Sequence, residues 1–290
     1  MANPTMGLTL LEGAPSFGVE AFDSQPLFPS AQWQMCHPFE GEAPVECANL
    51  PAVWSDVWIT NHILMAIIGA ALAILFWLIV SHKPKVVPSK RQWAGEYLYN
   101  MLRNGIAREI IGEGYQKFVP WLVALFSFII INNLFGSFFL VMFPTFSVIG
   151  FAWGLALLSW LLYNIVGIRQ HGFFKYVKHM IVPGDVPGPL LILIIPLEFL
   201  SNFIIRPITL GLRLFANLFA GHLLIMIFVV GGSWLLLSSE QIPIYNIAGG
   251  LSLAISFGLF ALELLVAYLQ AYIFTVLTAQ YVASAKAETH

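Results

Sequence analysis

Glu198-Phe-Leu-Ser-Asn202-Phe-Ile-Ile-Arg206-Pro-Ile-Thr209-Leu-Gly-Leu-Arg213-Leu-Phe-Ala-Asn217 is the stretch on which the fold turns. Its residues Glu198, Asn202, Arg206, Thr209, Arg213 and Asn217 follow one another at steps of four, four, three, four and four. Side chains three and four apart share one face of a helix. The spacing therefore predicts a single polar stripe ~28 Å long at 1.5 Å per residue. Ile204, Ile205, Leu212 and Leu214 give the opposite face an apolar character. The stripe lies inside an apolar run from Pro189 to about Gly231, interrupted by Glu198, Arg206, Arg213 and His222. As one helix, such a run would be ~60 Å long, about twice the ~30 Å hydrocarbon core of a bilayer. It must tilt, kink or run partly in the membrane plane.

A second run of the same kind extends from Asn246 to about Ala283, with Glu263 and Gln270 inside it. The two runs, joined at Gly231–Tyr245, predict a long tilted helical hairpin. Three shorter candidates precede it: Val57 to Val80, Val119 to about Phe143, and Phe146 to Ile168, the last two forming an antiparallel pair. The fold class expected is all-α and polytopic, with about five transmembrane helices. Composition agrees: 59% of the 290 residues are hydrophobic and 10% charged, against roughly 25% charged in soluble domains. With 24 Phe and nine Trp, the chain suits lipid-facing and interfacial surfaces.

The resulting division is 1–55, a poorly structured external segment; 56–81, the first span; 82–118, an amphipathic helix with linkers; 119–168, a transmembrane pair; 169–188, a loop; 189–285, the long hairpin; and 286–290, a tail. Between 89 and 111, Trp93, Tyr97, Met101 and Ile106 recur at helical spacing among charged residues, as in a helix lying on a membrane surface. Of the 13 Lys and Arg, all but Arg206 and Arg213 fall on one side of a five-span topology. Lys83, Lys85, Lys90, Arg91, Arg103, Arg108 and Lys117 follow the first span, Arg169, Lys175 and Lys178 the third, and Lys286 the fifth. The positive-inside rule makes that side cytoplasmic, with the N-terminus outside and the C-terminus inside. Residues 1–50 hold no Lys or Arg and no long apolar stretch, so no secretory signal is expected there. Cys36 and Cys47 would lie on the outer face, where either a disulfide or two unpaired thiols is consistent with the sequence.

A charge at membrane depth costs several kcal/mol by contested estimates and marks function by default. Arg213 keeps its proton, so it is a barrier to protons and an attractor of carboxylates, not a carrier. Glu263 and His222 can exchange protons. On the second run, Ser256, Glu263 and Gln270 repeat every seven residues, and Tyr281 follows eleven later, again on one face. Facing the first stripe, this one would form a polar seam. Glu198 shares the helix of Arg213, so the acid on which the arginine acts is expected on another subunit. Arg206, Asn132 and Asn133 read as structural, the asparagines as interhelical hydrogen-bonding groups. His62, His82, His171 and His179 read as interfacial. Gly211, Gly221 and Gly231 read as close-packing sites. No metal spacing, phosphate-binding loop or nucleophile motif is present in the sequence.

The string Arg206-Pro-Ile-Thr-Leu-Gly-Leu-Arg213-Leu-Phe-Ala-Asn217-Leu-Phe-Ala-Gly221-His222 resembles the signature of subunit a of F-type ATP synthases. Glu263 to Thr278, Pro196 to Ser201 and Asn133 to Gly136 are also similar to that family, and the resemblance covers roughly residues 55–285. It implies a proton-conducting stator subunit with two aqueous half-channels leading to the carboxylates of a c-subunit ring. Arg213 would separate the half-channels, and coupling would run through its attraction for the ring carboxylate. His222 and Glu263 match an outer half-channel pair, and Asn217 and Gln270 match residues that hold the arginine or line the path. Glu198, Ser201 and Tyr281 are looser matches to the inner half-channel. The Glu198 to Arg213 spacing is one residue longer than in many members, and Gly136 stands where some carry an acid.

Partners implied are the c-ring, b-type peripheral stalk subunits, the rest of the synthase and membrane lipid, with no nucleic acid, no bound nucleotide and no cofactor or metal. The chain would be a bacterial plasma-membrane component, not an enzyme on its own. His222 favours protons over sodium, although the ion is chosen largely at the ring carboxylate. Two other readings of the residues are a secondary transporter binding an anion at a buried Arg, and a structural anchor whose stripes only join helices. The transporter reading lacks an inverted repeat or paired broken helices.

Overall fold

The computed structural model describes residues 61–82, 85–137, 145–181, 188–237 and 243–287. The expected external segment, Cys36, Cys47 and the turn at 144 lie outside the described residues. Helix α1 spans Asn61–Ser81. Helix α2 covers Lys90–Asn100 and continues with π-helical turns through Met101–Ile111. Helices α3 (Val119–Ser137) and α4 (Ile149–His171) form the antiparallel pair. The short α5 is Phe173–Ile181. Helix α6 (Gly188–Phe199) passes through a π-helical turn, Leu200–Ile205, into α7 (Arg206–Leu237). Helix α8 is Pro243–Lys286. Five stretches are long and apolar enough to cross a membrane, the last two being Leu193–Leu237 and Tyr245–Lys286. The protein is all-α and polytopic, as its sequence predicts.

Two local expectations change. The hairpin connection expected at Gly231–Tyr245 is much shorter, because α7 runs on to Leu237 and α8 starts at Pro243. The packing glycine there is Gly232, where an added Cβ would meet Ser252 Cβ at 3.0 Å and Gly249 O at 3.2 Å; Gly231 faces open space. The segment 169–188 is not simply a loop: Gly172, at φ 77°, breaks the chain after α4. L-residues with side chains rarely take this conformation, and the chain restarts as α5, burying Tyr176 and Met180. The surface helix divides along its length. Trp93 and Tyr97 stack on each other (5.6 Å, 20°) and are exposed, whereas Leu102 and Ile106 are buried. Ser89 caps this helix by accepting from Gln92 N–H.

The core lies where α3, α4, α7 and α8 meet. It is built from Leu122, Phe126, Ala152, Ala156, Leu210, Leu214, Ala271 and Phe274, among others. Along α8 the half toward Lys286 is small and buried, with Ala271, Thr275, Thr278, Ala279 and Ala285 at or near zero exposure, so neighbours approach its backbone closely. Thr275 and Thr278 satisfy their hydroxyls on carbonyls one turn back. Asn132 and Asn133 behave as read: Asn132 Oδ1 accepts from Thr145 Oγ1 (2.9 Å), and Asn133 Nδ2 donates to Ala267 O (3.2 Å). His62, in the first turn of α1, is buried against the protein at 2% exposure.

Gly211 fixes how α7 sits on α4. An added Cβ there would meet Ala152 O, Ala156 Cβ and Trp153 Cδ1, each at 3.3 Å. Flanked by the buried Leu210 and Leu214, it holds the back of α7 against α4. Replacing it with Leu overpacks this contact and costs about 1–3 kcal/mol. Gly211→Leu is therefore expected to lower the thermal midpoint of the purified protein, whereas Gly231→Ala, in open space within α7, does not lower it.

Candidate functional site

The fixed cation comes first. Arg213 lies two residues beyond Gly211, about 200° around a helix of 3.6 residues per turn, so it faces away from α4. Its side chain is exposed. No hydrogen bond or ion pair joins the guanidinium to a described residue; Arg213 is tied to α8 through its backbone carbonyl. Gln270, buried on α8, donates from Nε2 to Arg213 O at 3.1 Å. Gln270 thus pins the helix turn carrying the arginine and leaves the guanidinium to look outward. A guanidinium so placed, in a helix long enough to span a bilayer, is open to a partner from outside the chain.

On one side of Arg213 along α7, two turns or ~12 Å away, is a small cavity of about 100 Å³. Asn217, Gly221 and Glu263 line it together with apolar side chains. Glu263 is 8% exposed, and neither carboxyl oxygen has a hydrogen-bond partner among the described residues. Buried carboxyl groups are nearly always hydrogen-bonded, and a cavity of this size has room for several waters. Gly221 makes the space: an added Cβ would lie 3.6 Å from Glu263 Oε1. His222, next in sequence, is buried on α7 at 8% exposure. Ser256, two turns from Glu263, is buried on the same α8 face, with its hydroxyl bonded to Leu253 O.

On the other side, about two turns from Arg213, is a second polar cluster built around the π-helical turn. The N–H of Arg206 bonds to Ser201 O, one residue further back than in an α-helix. Pro207 has no N–H. Asn202 O is thereby left without its helical donor, and Tyr163 of α4 supplies one through its hydroxyl at 3.0 Å. Asn202 Nδ2 donates to Glu198 Oε2 (3.0 Å) and to Met180 O on α5 (2.6 Å). The Arg206 guanidinium sits 5.2 Å from the Tyr281 ring centroid, a cation–π contact, and Tyr281 packs on Tyr163. Tyr176 donates to Asn164 Oδ1 (2.9 Å). Burial pushes its hydroxyl up to about 12, against an opposing pull from Arg206. Ser201 and Glu198 lie in and just before the wide turn.

The two stripes meet, but not as a continuous seam. On α8, Ser256, Glu263 and Gln270 are all buried, and Tyr281 is half-buried against Arg206. On α7 the stripe winds outward: Asn202 is buried, Arg206 half-buried, Thr209 and Arg213 exposed, and Asn217 half-buried. The physical reason is the wide turn, which breaks the α-helical periodicity from which a single face was inferred. Arg206, read as structural, is the hub of the second cluster. Tyr163, Asn164 and Tyr176 were not singled out by sequence reading; Ser159, Tyr163 and Asn164, at steps of four and one in an otherwise apolar span, were the available signal. Among the described residues, no group of three His, Cys, Asp or Glu has a metal-site arrangement.

Residues 62–283 match the family model described as ATP synthase A chain. The chain is similar to ATP synthase subunit a of a Nocardioides species, 45% identical over 234 residues, covering 80% of this chain and 83% of that one. It is 39% identical over 247 residues to ATP synthase subunit a of Pseudarthrobacter chlorophenolicus, covering 83% and 92%. Against ATP synthase subunit a of Streptomyces lividans it is 34% identical over 265 residues, covering 88% and 92%.

Proposed function

The chain belongs to the ATP synthase A chain family, and from that premise we propose that it conducts protons along two half-channels meeting at Arg213, beside a carboxylate-bearing c-ring. The observation that carries this reading is the placement of one outward-facing guanidinium between two polar clusters. The Asn217–Gly221–Glu263 cavity lies ~12 Å to one side, and the Glu198–Asn202–Arg206–Tyr281 cluster ~10 Å to the other.

In the proposed cycle, a proton entering from outside passes through the His222 and Glu263 region to a ring carboxylate and neutralises it. The neutral carboxyl can then face lipid as the ring turns. Arriving at the other side, it releases its proton toward the Glu198, Ser201 and Tyr281 cluster and is again an anion. Arg213 attracts that anion: two unit charges 4 Å apart interact by ~4 kcal/mol at an effective dielectric of 20 and by only ~1 kcal/mol in water. That is enough to draw the deprotonated site past the barrier and weak enough to release it. Asn217 and Gln270 hold the arginine's helix turn and line the approach. Because Arg213 keeps its proton, no proton passes directly from one cluster to the other. The gathering of Lys and Arg at one end supports the cytoplasmic placement of the C-terminus and of the α1–α3 connection.

The reading is tested by introducing Cys at Leu212, exposed beside Arg213, and oxidising membranes that carry single cysteines along the acid-bearing helix of the ring subunit. Cross-links centred on the ring acid are expected, with a proteolipid ring and a soluble ATPase head copurifying. Anion uptake by the chain alone in liposomes, with no such cross-link, would instead establish the transporter reading.

A further inference from the structure

An apolar recess lies away from the proton clusters. A groove of about 540 Å³ runs between α1, α3 and α4. Small residues, Ala70, Ala73 and Ala124, open it, and Trp77, Trp121 and Phe128 wall it. The Trp77 Nε1–H bond to Ser127 Oγ (2.9 Å) fixes one wall. Its α1 side extends from Ala70 to Ser81, ~16 Å at 1.5 Å per residue. That is about half the ~30 Å hydrocarbon core, the depth of one leaflet. The groove reaches the end of α1 where the lysines and arginines gather.

At that end the groove shares Leu78 with a second cleft of about 530 Å³, which His82, Lys85, Ser89, Arg91 and Gln92 line. This cleft is held in shape. Gln92 clamps the backbone of Lys85 from both sides, accepting from Lys85 N–H (3.1 Å) and donating to Lys85 O (3.0 Å), while Glu96 Oε1 accepts its second N–H (2.7 Å). Lys85 and Arg91 both line this cleft, which adjoins the groove at Leu78.

We propose that the groove and cleft together form a site for one anionic phospholipid. One acyl chain occupies the groove, and the phosphate meets Lys85, Arg91 and Ser89. The charge complementarity favours an amphiphile over a transmembrane helix of a neighbouring subunit, whose apolar surface would leave the basic cleft unanswered. Cations lining a cleft that adjoins an apolar slot match the chemistry of basic pockets that hold anionic headgroups.

The test uses the intact membrane complex, purified and reconstituted into vesicles of equal parts phosphatidylglycerol and phosphatidylcholine. A photoreactive residue at Ala124 is activated, and the adduct mass is read. A phosphatidylglycerol adduct is expected, dominating over phosphatidylcholine. K85Q/R91Q, a pair of exposed substitutions, is expected to lower that preference roughly tenfold, and Ala73→Trp, which fills the groove, to remove both lipid adducts. A polypeptide adduct at Ala124 overturns the proposal in favour of a neighbouring helix. An unchanged lipid preference in K85Q/R91Q overturns it as well. Neither result bears on proton conduction, so its failure is distinguishable from failure of the proposed function.

Discussion

Arg213→Ala abolishes both gradient-driven ATP synthesis and ATP-driven proton pumping in an assembled complex, while its detached-head ATPase activity persists. The guanidinium has no structural duty to lose: it is exposed, and its hydrogen-bonding tie to α8 is made by its backbone carbonyl. Truncating it therefore leaves α7 seated through Leu210, Gly211 and Leu214. What disappears is the attraction for a passing carboxylate, ~4 kcal/mol at 4 Å and an effective dielectric of 20, roughly a thousandfold in rate if felt at the rate-limiting step. The barrier between the two clusters goes with it, so passive proton leak rises as coupling falls. Lys at this position keeps a charge but lacks the rigid planar fork and sheds its proton more readily when desolvated, so Arg213→Lys restores little. Acidification of inverted vesicles on ATP addition, followed with a pH-sensitive dye, is the measurement. Normal acidification by Arg213→Ala would sink the proposed mechanism.

The sequence made the spans legible because hydrocarbon thickness dictates helix length, and because polar residues in those spans are few enough for their spacing to carry meaning. The α8 stripe survives intact for a simple reason: α8 is regular from Pro243 to Lys286, so the three-and-a-half-residue repeat of Ser256, Glu263 and Gln270 maps directly onto one buried face. The stripe from Glu198 to Asn217 was read with the same rule and came apart, because the rule assumes one helical pitch. A π-helical turn bracketed by Pro196 and Pro207 changes that pitch, carries Arg213 to the surface and leaves Asn202 inside. Nothing in residue spacing alone announces which carbonyl a proline will orphan, nor that Tyr163, 39 residues earlier, will satisfy it. Arg206 shows the same limit: its partners Tyr281 and the tyrosines beside it come from three other helices, and only packing brings them together.

Glu263→Leu is expected to reduce proton flow through the membrane sector by at least about a hundredfold, the lower range for losing a positioned proton-transfer group. Glu263→Gln separates the two things the carboxyl does. Both oxygens lie at a cavity with room for several waters and have no hydrogen-bond partner among the described residues, so the amide can keep the cavity polar and hydrated while being unable to give up a proton at working pH. If Glu263 carries the proton, Gln is as defective as Leu. If it only keeps water in place, Gln conducts almost normally and Leu does not, because the isobutyl group fills a polar space with methyls. Gly221→Ala supplies an independent check on the cavity. Its Cβ would stand 3.6 Å from Glu263 Oε1, an ordinary contact, so the fold tolerates it. Flow then falls only through the lost water volume, a smaller effect than either change at Glu263. The measurement is proton conductance of membranes stripped of the soluble head, driven by a potassium diffusion potential. Undiminished conductance in both Glu263 variants would remove this carboxyl from the path and leave the cavity without a role.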